Sequence, residues 1–131
     1  MGPPKAWYKL VNPESVSSQV PLIGIENVDD LKEAIKNKMP VVLKDWNTAQ
    51  LTLMVSKGCK DVTQAVEVDA ETTLVSILKA HELMNETSFR VAPNSYQVDA
   101  TLVQKTFAEN IRLFVSAPGS KYSLLMSHLF L

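Results

Sequence analysis

Cys59 and His81 invite the hypothesis of a thiol nucleophile activated by an imidazole. Nothing in the sequence brings the two together. No third residue is placed to orient the imidazole, and no glycine-rich loop offers an oxyanion hole in a chain with 4 glycines. His81 shares helical spacing with Leu74, Ile77 and Leu78, which reads as the edge of an apolar stripe. Asp29 and Asp30 read as helix-start charge, where the macrodipole favours anions, and Glu67 and Asp69 as loop charge, rather than as general acid and base. A single cysteine rules out a disulfide framework and a cysteine-based zinc site, and two histidines rule out a histidine-rich metal site. The expectation is a chain with no catalytic residue, no cofactor and no metal site, hence not an enzyme.

Binding is the better-supplied chemistry. Trp7 and Trp46 are candidate anchors, because exposed aromatics dominate interface energetics. Alternation on the first strand sends Trp7 and Lys9 to one face and Tyr8 and Leu10 to the other, so one aromatic should be core and the other more exposed. Lys32, Lys36, Lys38 and Lys44 read as a solvated helix face, with recognition of an acidic partner or a lipid headgroup as the alternative. Trp7, Trp46, Lys32, Lys36 and Lys57 together form the candidate interaction surface, with Lys60, Thr52 and Met54 nearby. The expected partner is a protein, and self-association through a sheet edge stays open.

Charge and length bound these readings. The 13 basic and 14 acidic residues leave a net charge of −1, so no long-range positive field exists to hold nucleic acid. With 131 residues, 46% hydrophobic and 21% charged, the chain suits one globular domain. The N-terminus has no apolar core of the kind a secretory signal needs, and Ala6 stands where a myristoylation motif wants Ser or Thr. The apolar residues 122–131 are fewer than the roughly 20 needed to cross a bilayer, so no membrane span is expected. No Gly-Gly follows Gly119, which disfavours ubiquitin-type conjugation.

The elements that would position these residues follow from local pattern. Residues 6–11 (A-W-Y-K-L-V) and 20–25 (V-P-L-I-G-I) read as a hairpin, with Pro21 demoting the second strand to an edge. Asn27 caps a helix whose stripe is Val28, Leu31, Ala34 and Ile35, stopped by Met39-Pro40. Residues 51–57 (L-T-L-M-V-S-K) form a strand with Leu51, Leu53 and Val55 on one face, and Gly58 turns the chain. A second helix starts at Asp69 or Thr72 and ends near Met84-Asn85. Residues 89–98 form an irregular crossing, Asp99 caps a short helix over 100–107, and 111–115 (I-R-L-F-V) is the last strand, expected parallel beside the first. This order is that of a ubiquitin-like β-grasp: an α+β fold with a mixed sheet of about four to five strands on one main helix, plus a helical insertion.

The strand 51–57 resembles the L-x-L-F-L-A-K motif of the Crinkler effector family of oomycetes and fungi. Leu51, Leu53 and Lys57 match it; Met54, Val55 and Ser56 depart from it while keeping the apolar pattern. Residues 27–40 (N-V-D-D-L-K-E-A-I-K-N-K-M-P) are similar to that family's V-D-D-L-K-K-A-I-K helix. Residues 110–118 (N-I-R-L-F-V-S-A-P) are similar to the closing I-H-V-L-V strand, with Arg112 in place of His. The resemblance spans 6–118 and leaves 119–131 as a C-terminal tail with no recognisable family linker. It implies a non-catalytic ubiquitin-like N-terminal domain that serves secretion or translocation into a host cell, ahead of an effector domain for which residues 119–131 leave no room. The family's oomycete members often carry a signal peptide that is missing here, and residues 59–94 have no clear match. Beside this stands an intracellular ubiquitin-like adaptor or self-association domain. The leucines of 51–57 are what the inner face of any sheet contains, so the motif reads as core first and signal second.

Overall fold

A computed structural model describes residues 3–12, 14–58, 64–85, 90 and 97–118. The first strand, β1 (Lys5–Asn12), alternates as its sequence demands, with Ala6, Tyr8 and Leu10 buried and Trp7 exposed. It pairs antiparallel with β2 (Ser18–Pro21), Trp7 opposite Gln19 and Lys5 opposite Pro21. This strand is shorter than the expected 20–25. Beyond Pro21 the chain turns at Gly24 (φ 77°), and Ile25 N–H donates to the Leu22 carbonyl at 3.0 Å.

Pro21 is tolerated for a reason visible in the ladder. Leu22 N–H donates to the Pro4 carbonyl at 2.9 Å, and alternation then points the backbones of Val20 and Ser18 toward β1. Gln19 and Pro21 point outward. Proline's missing N–H costs the sheet nothing there, and it leaves Gln19 as the outward donor of that pair.

Helix α1 (Val28–Lys38) begins as expected at Asn27, whose Oδ1 accepts from Asp30 N–H at 2.9 Å, while Asp30 Oδ2 accepts from Glu26 N–H at 3.1 Å. It ends at Met39, whose N–H donates to Ile35 and Lys36 carbonyls, one residue before Pro40. A 3₁₀ turn, Thr48–Gln50, follows, closed by a reciprocal capping box between Asn47 and Gln50. Then come β3 (Thr52–Lys57) and β4 (Val66–Val68), a three-residue strand too short to stand out in the sequence.

Helix α2 (Leu74–Ala80) is capped by Thr73 and is shorter at both ends than its periodicity suggested. The backbone before it is already engaged: Val28 N–H donates to the Thr72 carbonyl at 2.8 Å and Leu74 N–H to the Glu26 carbonyl at 3.0 Å. At its other end Glu82 adopts φ 58°, and the N–H groups of Leu83 and Glu82 return to the carbonyls of Leu78 and Lys79, a Schellman closure that stops the helix. Helix α3 (Ala100–Asn110), capped by Asp99, runs three residues beyond the expected Phe107 and passes without a linker into β5 (Ile111–Ser116). Of the expected crossing at 89–98, Arg90 and Val98 form an isolated bridge and Gln97 is exposed; residues 89 and 91–96 lie outside the described residues, as do Cys59, Lys60 and the tail 119–131.

The five strands form one mixed sheet in the order β2-β1-β5-β3-β4. The last strand occupies the centre, parallel to β1 and antiparallel to β3, with Tyr8 beside Leu113 and Leu113 beside Val55. One face carries Ala6, Tyr8, Leu10, Leu53, Val55, Leu113 and Val115, all at 2% exposure or less. Its cover is shared by three helices rather than dominated by α1: Val28, Leu31 and Ile35 from α1, Leu74, Ile77 and Leu78 from α2, and Val103 and Phe107 from α3 join one core.

Candidate interaction surface

The other face of the sheet carries what the core excludes. Pairing registers place two rows of side chains across it. One runs Gln19, Trp7, Arg112, Ser56 and the next runs Lys9, Phe114, Met54, Glu67. Trp7 is 39% exposed and Arg112 and Lys9 are half-buried, whereas Phe114 is 4% exposed and belongs to no part of the main core. Trp7, Lys9, Ser17, Arg112 and Phe114 line a groove of about 450 Å³. No described helix residue lines it, and no carboxylate among the described residues is paired with Lys9 or Arg112.

The charge on this face is divided. Glu67 sits on β4, three strands from Lys9 in the same row, which at sheet spacing is about 14 Å. The β1–β5 half is therefore basic and aromatic, and the β4 end is acidic.

The residues singled out in the sequence do not gather in one place. Leu51, Leu53 and Val55 are buried at 2% or less, and Met54 is half-buried on the outer face. Lys57 is exposed, and its Nζ donates to the His81 carbonyl at 3.3 Å, satisfying an acceptor at the C-terminal end of α2 where the dipole also favours a cation. Trp46 packs on the core edge. Lys32 retains 7% exposure, its stem laid along α1's packed side, and Lys36 is half-buried. Trp7 faces away from the layer α1 covers, so it and the α1 lysines lie on different sides of the sheet.

Lys9, Arg112 and Phe114 were not among the candidates. Their signal exists in the sequence only as the alternation K-L in β1 and R-L-F in β5. It becomes a site once β1 and β5 lie side by side in register, Trp7 with Arg112 and Lys9 with Phe114. A second, apolar groove of about 380 Å³ lies between Ile25, Leu74, Val75, Val98 and Val103.

His81 is the C-cap of α2 and half-buried; its supposed partner Cys59 lies outside the described residues. Among the described residues no group of three His, Cys, Asp or Glu side chains could hold a metal, and no helix is long and apolar enough to cross a membrane. Comparisons with family models, with curated proteins and with solved structures each returned no match.

Proposed function

We propose that this chain is a ubiquitin-like β-grasp domain acting without catalysis, as the N-terminal targeting domain of a Crinkler-type secreted effector. It serves secretion or translocation into host cells through its folded surface. The strand order β2-β1-β5-β3-β4 with a parallel central pair supports the β-grasp part of this reading. The observation that carries the surface part is the burial of Leu51, Leu53 and Val55 in and beside a strand paired on both sides. A receptor reading those side chains as a linear signal would have to extract β3 from the sheet, at a cost approaching that of global unfolding. Contacts therefore fall to side chains the fold leaves outside, with Trp7 and Arg112 foremost.

The test fuses the full chain to a reporter and measures delivery into host cells. A Trp7→Ala/Arg112→Ala double variant with an unchanged melting profile should lower delivery at least several-fold. Equal delivery by that variant would sink the surface mechanism. An intracellular adaptor would use the same surface and show no delivery in either form.

A further inference from the structure

We infer that the basic half of the outer sheet face, at Trp7, Lys9, Arg112 and Phe114, is a docking groove for an acidic peptide segment bearing an aromatic or other apolar side chain. The inference deepens the binding-module reading and rests on it. Three features select this occupant. First, two cations border the groove with no described carboxylate to neutralise them, so an incoming anion displaces no partner among the described residues. Arg112 adds a planar fork suited to a carboxylate.

Second, the exposed indole of Trp7 lies in register beside Arg112, offering an apolar ledge within reach of the charge. Third, the aromatic platform is narrow. Phe114 is 4% exposed, which leaves one open ring among the described lining residues, where single-stranded nucleic acid stacks successive bases on several. The overall charge of −1 likewise provides no field for a polyanion, whereas a short acidic segment needs only the local pair. Glu67 at the far end of the face disfavours an acidic ligand there and sets where the segment stops.

The probe is a short fluorescein-labelled peptide of glutamates flanking a phenylalanine, titrated into the full chain. In a Trp46→Phe background Trp7 is the sole tryptophan of the original 2, so its emission reports the site directly. Saturable binding that perturbs Trp7 emission and weakens with added salt is expected. Arg112→Ala and Lys9→Ala should each weaken it by about tenfold or more. Replacing the peptide's glutamates with glutamines should abolish binding to the unaltered chain, a control that requires no variant to fold.

Equal binding of the glutamine peptide would overturn the proposal, as would unchanged affinity in a folded Lys9→Ala/Arg112→Ala variant. Tighter binding of an oligothymidylate of equal charge would overturn it in favour of nucleic acid. Sedimentation showing that the face is occupied by a second copy of the chain would overturn it in favour of self-association. Absence of peptide binding by the unaltered chain, with delivery present, would strike this inference alone; absence of delivery by the unaltered chain, with peptide binding present, would strike the targeting function alone.

Discussion

The two faces of the sheet are built from the same strands, and neighbouring residues of β1 and β5 end in opposite environments. On the inner face Tyr8, Leu10, Leu113 and Val115 lose nearly all contact with water beneath three helices. On the outer face Trp7, Lys9 and Arg112 keep part of theirs. Burial and exposure are thus separated by a single step along the strand. Apolar area removed from water holds the domain together at roughly 25 cal/mol per Å², while charge and an open ring stay accessible to solvent on the reverse side.

The sharpest way to break that division is a matched pair of truncations. Leu53→Ala, on the inner face at 0% exposure, should destabilise by about 2–5 kcal/mol through lost transfer energy and a cavity. Arg112→Ala, in a neighbouring strand but on the outer face, should change stability by no more than about 1 kcal/mol. Denaturant titration reads both, and comparable losses would mean that the outer face is structural after all.

A smaller effect comes from the layer that covers the inner face. Asn27→Ala removes the acceptor of Asp30 N–H and should cost about 1 kcal/mol, read as a lower denaturation midpoint with an unchanged slope. The smallest concerns the strained end of α2. Glu82 sits at φ 58°, where glycine is at ease, so Glu82→Gly should raise stability by less than about 1 kcal/mol, the relief being partly offset by a freer unfolded chain. A loss on that substitution would show that the Glu82 side chain contributes more than its backbone costs.

Lys57 teaches a related lesson. As part of the 51–57 motif it looked like a residue presented for contact, yet its ammonium reaches the last turn of α2 and satisfies the His81 carbonyl. A charged residue at the end of a buried strand was as much a cap for a distant helix as a feature of the surface. No local pattern announces such a role, because its acceptor is 24 positions away.

Legibility in the sequence followed the range of the interactions involved. Asn27, Asp99 and the stop at Met39-Pro40 act over three or four residues, and all were readable. The alternation in β1 and β3 sorted Tyr8, Leu53 and Val55 from Trp7 and Met54 for the same reason, since side-chain direction in a strand is a local property. The start of α2 was misplaced because its preceding backbone is bonded to residues 26–28, a constraint imposed from elsewhere in the chain. β4 was missed because three residues hold too little pattern, and its pairing with β3 is what defines it.

By itself, then, the sequence determined how the side chains of β1 and β3 divide between two faces, where α1 and α3 begin, and that no broad positive field surrounds the molecule. Those are consequences of steric periodicity, capping and charge count, which any short window carries. Only the tertiary structure decided that the last strand lies at the centre of the sheet and that three helices share its cover. It also set Arg112 beside Trp7 and Phe114 beside Lys9. Those residues are about a hundred positions apart, and register between distant strands is fixed by the packing of both inner faces at once, so the groove came into existence only when the core closed.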